Sequence, residues 1–103
     1  MTVATNPRVV VVTGGGNGIG RATALLFAQS GFAVAVWDTS EAAGTETVQA
    51  ITAAGGVAVF HRVDVSKAAS AVEAATAVRA RFGRIDALIN NAGIVRDAQL
   101  VKV

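Results

Sequence analysis

The sequence predicts an α/β fold, a doubly wound parallel sheet in the order β-α-β-α-β-α-β, and three observations carry that expectation. Four short runs are nearly continuous in Val, Ile, Leu, Ala or Phe, as strands buried on both faces require. Alanine-rich segments of helical length separate them. A glycine follows each such segment, where a left-handed residue can end a helix.

The first strand is expected over Arg8 to Thr13, and the glycine-rich stretch Thr13-Gly14-Gly15-Gly16-Asn17-Gly18-Ile19-Gly20 turns it into a helix from Gly18 to Ser30. Phe32 to Asp38, Val57 to Val63 and Ile85 to Asn90 give the other strands, and Ser40 to Ala54 and Ser66 to Phe82 the other helices. Gly31, Gly55-Gly56 and Gly83 are the stops. In the last helix Ala71, Ala75, Val78 and Phe82 recur at four, three and four residues, which lays one apolar stripe against the sheet. Right-handed crossovers then order the strands 3-2-1-4, with the glycine turn at the carboxyl end of the first strand and beside the switch point. Met1 to Pro7 reads as a loose tail, and residues 1–103 as one domain without repeats or internal boundaries.

Composition removes several classes of function. With 103 residues and 52% hydrophobic content the chain can bury a core, although a domain of this size still leaves much of its surface wet. No apolar stretch approaches a membrane span, and the first residues lack the charge and apolar run of a signal peptide. A cytoplasmic location is the expectation, with no membrane partner. The chain has no cysteine and one histidine, His61, so neither a disulfide framework nor a thiolate or histidine metal cluster can form. His61 falls on the third strand and is read as structural. The net charge of +2 is spread along the chain. Its densest basic group, Arg79, Arg81 and Arg84, lies near a helix C-terminus, where the dipole favours cations. Few aromatics are available for stacking on bases, so no nucleic-acid partner is expected.

The glycine turn carries the chemistry. Small residues let phosphates approach the backbone, and the first amides of a helix lack intrahelical partners and sit at the positive end of its dipole. Such a turn holds a diphosphate without a lysine; the Gly-Lys-Ser or Gly-Lys-Thr of a P-loop is missing, since Arg21 follows Gly20. The strict G-x-G-x-x-G spacing is also missing, and Gly14-x-x-x-Gly18-x-Gly20 is what fits. Asp38 ends the second strand eighteen positions beyond Gly20, where a carboxylate can accept from ribose hydroxyls. It would oppose a 2′-phosphate: two unit charges about 4 Å apart at a dielectric of about 20 interact by roughly 4 kcal/mol. NAD is therefore the expected cofactor and NADP the less favoured one. The alternative reading of Asp38 is a cap for the next helix, a role that Thr39 and Ser40 could fill equally well.

Four features in order, Thr13 to Gly20, Asp38, Asp64-Val65 and Asn90-Asn91-Ala92-Gly93, resemble the short-chain dehydrogenase/reductase family, whose fold is Rossmann-like. The resemblance implies that Gly14, Gly16, Asn17, Gly18, Ile19 and Gly20 line the phosphates and Asp38 holds the ribose. It further implies that Asp64, Val65 and Asn91 touch the adenosine portion, with Ala92 and Gly93 in the turn that closes over it. Asn90 is placed as a brace of the sheet. Residues 93–100 are similar to 3-oxoacyl-[acyl-carrier-protein] reductases and acetoacetyl-CoA reductases within the family. Asn17, where those often carry a basic residue, and Asp38, where they commonly lack an acid, point instead to an NAD-linked alcohol or hydroxyacyl dehydrogenase.

The resemblance implies hydride transfer between a nicotinamide cofactor and an alcohol or ketone substrate, with only the cofactor-binding part represented. The chain has no tyrosine, and the family's Tyr-x-x-x-Lys pair, serine and assisting asparagine would lie beyond Val103. Protonation of the developing alkoxide needs such an acid, so no catalytic residue is assigned and the chain alone is expected to be inactive. Two other readings stand beside this one: a nucleotide-binding module without catalysis, or completed by another chain, and an S-adenosylmethionine-dependent methyltransferase, which Gly18-Ile19-Gly20 and the Asn-Asn-Ala-Gly turn disfavour. The exposed fourth strand is expected to promote self-association or a homo-oligomer.

Overall fold

The run Val9 to Val12 has no polar side because neither of its faces meets water: in the computed structural model, which describes residues 7–91, all four valines are buried. They form β1 (Val9–Thr13), which the glycine turn joins to α1 (Gly18–Gln29); β2 (Ala33–Asp38), α2 (Glu41–Ala53), β3 (Val57–Arg62), α3 (Ala68–Phe82) and β4 (Ala87–Asn90) follow. All pairings are parallel and the strand order is β3-β2-β1-β4. This is the doubly wound sheet that the sequence predicts.

Alternate residues of each strand face opposite helical layers. Val10, Val12, Val34 and Val36 pack with Ala24 and Ala28 of α1 and Ile51 of α2, whereas Val9, Val11, Ala33, Ala35 and Trp37 pack with Ala71, Ala74 and Val78 of α3. Each fully buried valine contributes about 1.5–3 kcal/mol of transfer free energy, which makes β1 and β2 the strongest part of the sheet. On α2 the helix comes close enough to β3 that a Cβ on Gly44 would collide with the ring of Phe60. An exposed ion pair, Arg21 to Glu46 at 3.1 Å, links α1 to α2.

The element boundaries shift by one or two residues from those expected, and the largest differences have local causes. Helix α3 starts at Ala68 instead of Ser66, because Asp64 turns back to accept from the amide and hydroxyl of Ser66 at 3.0 and 2.6 Å. Its buried residues are Ala71, Ala74 and Val78, whereas Ala75 and Phe82 are partly buried; the contact stripe follows a three-then-four spacing. β4 starts at Ala87 instead of Ile85, since Asp86 uses its side chain to accept from the amide of Val9 at 2.7 Å. Ser40 and Ala54 flank α2 as its caps. Gly31, Gly55 and Gly83 take positive φ angles as expected of helix stops. Among the described residues no helix is long and apolar enough to cross a membrane, and no group of three or more potential metal ligands occurs.

Candidate functional site

The turn between β1 and α1 is shaped by contacts that exclude side chains. Gly14 and Gly18 have φ of 64° and 53°, in the left-handed region that suits glycine. A Cβ on Gly20 would run into the carbonyl of Gly14, and one on Gly16 would lie 2.7 Å from Asp38 Oδ2 and 2.8 Å from the Ala43 Cβ. The amide of Gly15 donates to the Trp37 carbonyl at 3.2 Å. Asn17 occupies the N-cap position of α1 in an extended conformation, and its side chain makes no capping bond. Asparagine is among the best N-caps, so α1 starts with amides that no cap side chain uses. Ile19 in that first turn is 77% exposed.

Asp38 ends β2 directly beside this turn. Its Oδ2 accepts from the amide of Gly16 at 2.9 Å and its Oδ1 from the amide of Ser40 at 2.9 Å. The helix cap is Ser40, whose Oγ accepts from the amide of Ala43 at 3.1 Å. Asp38 thus joins the glycine turn to the start of α2 and does not cap that helix. On the α2 side, the buried Thr47 places its hydroxyl 3.4 Å from the carbonyl of Gly16 and 3.3 Å from that of Ala43.

A cleft of about 320 Å³ opens at the same carboxyl edge, lined by Gly14, Trp37, Asp38, Thr39, Val63, Asp64, Val65 and Ser66. It brings together Gly14, Asp38, Asp64 and Val65 of the expected site; Gly16, Asn17, Gly18, Ile19 and Gly20 form the adjoining turn and first helical turn. Asn91 follows β4, its amide donating to Thr13 at the carbonyl (3.2 Å) and at Oγ1 (3.0 Å). Its Nδ2 is buried without a partner among the described residues. Asn90 braces the sheet, accepting from Thr13 Oγ1 at 2.9 Å. Ala92 and Gly93 lie outside the described residues.

Thr39, Ser66 and Thr47 also belong to this arrangement, and no motif marks them for it. The spacing Asp64-x-Ser66 is a signal for an Asx-type turn; Thr47 carries no such signal, because only the packing of α2 on the turn reveals it. The Ser66 hydroxyl first, and then its amide, hold the Asp64 carboxyl below its ordinary pKa. His61 lies on β3 beside Trp37 of β2, half-buried, and burial lowers its pKa. It is not among the residues that line the cleft.

Against known families, residues 8–103 match the model described as short chain dehydrogenase. The chain belongs to the short chain dehydrogenase family. An uncharacterized oxidoreductase of Thermotoga maritima is 48% identical over 88 residues, 85% of this chain and 34% of the relative. A 3-oxoacyl-[acyl-carrier-protein] reductase of Chlamydia pneumoniae is 37% identical over 94 residues, 91% of this chain and 38% of that protein. Among solved structures, a metagenomic short-chain oxidoreductase in complex with NADP superimposes with a TM-score of 0.80 at 38% identity, covering 84% of this chain and 39% of its own. This member of the family therefore spans little more than a third of the length of each of these three proteins.

Proposed function

We propose that this chain is the dinucleotide-binding part of an NAD-linked oxidoreductase that transfers hydride between the nicotinamide and an alcohol or ketone. The observation that carries this reading is the side-by-side placement of an uncapped helix start at Gly18 and a strand-end carboxylate at Asp38, joined through Gly16. The residues fit such a cofactor: the crowded glycines leave backbone where a Cβ would stand, and the first amides of α1, which no cap side chain uses, would meet a bound diphosphate with the helix dipole behind them. In this assignment Gly14, Gly16, Asn17, Gly18, Ile19 and Gly20 shape and line the diphosphate turn. Asp38 accepts from the adenosine ribose, and Asp64, Val65 and Asn91 border the adenosine, with Ala92 and Gly93 following.

When bound, the nicotinamide supplies or takes the hydride. The chain's own residues bind and orient; with no tyrosine in the sequence, we assign none of them to proton transfer. The carboxylate of Asp38 supports NAD over NADP, because a 2′-phosphate would approach a like charge. A relative solved with NADP makes direct comparison of the two cofactors the necessary test. The 3-oxoacyl class is one substrate option, supported by the Chlamydia pneumoniae relative.

Trp37, the sole tryptophan, lines the cleft next to Asp38, and its emission should fall when a reduced nicotinamide cofactor binds. Titration of the chain with NADH and with NADPH is expected to give saturable quenching at lower concentration for NADH. A folded sample quenched by neither would overturn the binding assignment. Tighter binding of NADPH would overturn the cofactor preference alone.

A further inference from the structure

We propose that Asp38 is a positioning residue for the diphosphate turn as well as a reader of ribose, so that the two ends of the cofactor site are coupled through one carboxylate. The inference rests on the dinucleotide reading above and deepens it.

The Gly16 peptide is held on several sides. Its N–H donates to Asp38 Oδ2 at 2.9 Å, and its carbonyl faces the buried Thr47 hydroxyl at 3.4 Å. Its Cα stands so close to Asp38 and Ala43 that a Cβ would meet both below 3.0 Å. Gly16 cannot shift unless Asp38 or α2 shifts with it. The next residue is Asn17, whose extended backbone sets where the uncapped amides of α1 begin. A displacement at Asp38 is therefore passed across two peptide units to the donors that face the diphosphate. The geometry leaves the carboxylate able to do both tasks: it offers about four acceptor positions, of which the Gly16 and Ser40 amides take two. The other two suffice for a pair of ribose hydroxyls.

Simple ribose reading and this coupling differ in one measurable respect. Adenosine and ADP-ribose share the adenosine ribose, and only the second carries the diphosphate. If Asp38 only reads ribose, or only supports the fold, its loss weakens both ligands by the same factor. If it also positions Gly16, its loss weakens ADP-ribose by a larger factor. We expect an excess of roughly tenfold for Asp38→Ala, the order of one hydrogen bond to a charged group. Asp38→Asn retains one acceptor oxygen, which can serve Gly16 or Ser40 but not both, and should show a smaller excess. It is also the deciding variant should the alanine substitution unfold the chain.

The experiment is a calorimetric titration of the full 103-residue chain and both variants with adenosine and with ADP-ribose, joined to amide hydrogen exchange at Gly16 without ligand. Faster exchange at Gly16 than at Gly15 in the variants, relative to the unsubstituted chain, together with the excess loss for ADP-ribose, supports the coupling. Equal factors for the two ligands, or unchanged exchange at Gly16, overturns it while leaving the dinucleotide reading intact. If the unsubstituted chain binds ADP-ribose no better than adenosine, the dinucleotide reading itself fails, and the coupling falls with it.

Discussion

Thr13 and Asn90 tie the carboxyl ends of β1 and β4 together, the threonine hydroxyl donating to Asn90 Oδ1 at 2.9 Å. The same hydroxyl accepts from the amide of Asn91 at 3.0 Å, so one buried group serves two partners. Thr13→Val keeps the shape and removes both bonds. The Asn91 amide keeps the Thr13 carbonyl and Asn90 is exposed to water, so the loss should cost about 0.5–1.5 kcal/mol, at about 4–8 °C of melting temperature per kcal/mol for a domain of this size. A thermal melt of the variant checks this, and an unchanged midpoint would show that water replaces the hydroxyl without loss.

Two glycines of the turn should respond differently to alanine. Gly20→Ala places a methyl against the Gly14 carbonyl, and backbone cannot step aside cheaply, so the turn must open and ADP-ribose affinity should fall by more than tenfold. Gly18→Ala meets open space but a φ of 53°, and its cost should stay near the roughly 1–2 kcal/mol of left-handed backbone. Denaturant midpoints and ligand affinities of the two variants separate a steric cause from a conformational one.

Acid should loosen the junction of β4 with β1. Asp86 is held below its ordinary pKa first by Arg84, at 2.7 Å, and then by the amide of Val9. A carboxyl depressed in the fold adds stability in full above its unfolded value of about 3.9 and loses it as pH falls through the lower folded value. Asp86→Asn should therefore lower stability near neutrality and flatten its decline at acid pH. Chemical denaturation as a function of pH measures both slopes; parallel curves would remove Asp86 from the account.

Discrimination between NADH and NADPH should survive salt. Repulsion between Asp38 and a 2′-phosphate weakens as the Debye length falls to about 3 Å at 1 M, whereas a carboxylate that also holds Gly16 resists displacement by geometry. The ratio of the two dissociation constants is expected to stay well above one at about 1 M salt. Collapse of the ratio to one would assign the preference to charge alone.

The outer edge of β4 has no paired neighbour among the described residues, and its residues Ala87, Leu88 and Ile89 are apolar and only partly buried. Such an edge is a template for another strand. Sedimentation of the 103-residue chain should show concentration-dependent association, which a lysine at Leu88 reduces. A monomer over the whole range would dismiss this edge as an association surface.

The sequence by itself determined the layers of this protein and the strand order. Runs such as Val9 to Val12 can be stable only where both faces are covered, and glycines after three helical segments mark their ends through backbone sterics; both are local properties. It also located the turn from Gly14 to Gly20 and the acid at Asp38, because spacing along a strand, turn and helix places them at one edge. Only the tertiary structure decided how they act on one another. That Asp38 grips Gly16, that Thr47 presses a hydroxyl toward the same peptide, and that Asp86 shortens β4 to reach Val9 are all relations between residues distant in the chain. Spacing cannot reveal them, since each depends on how closely one packed element approaches another.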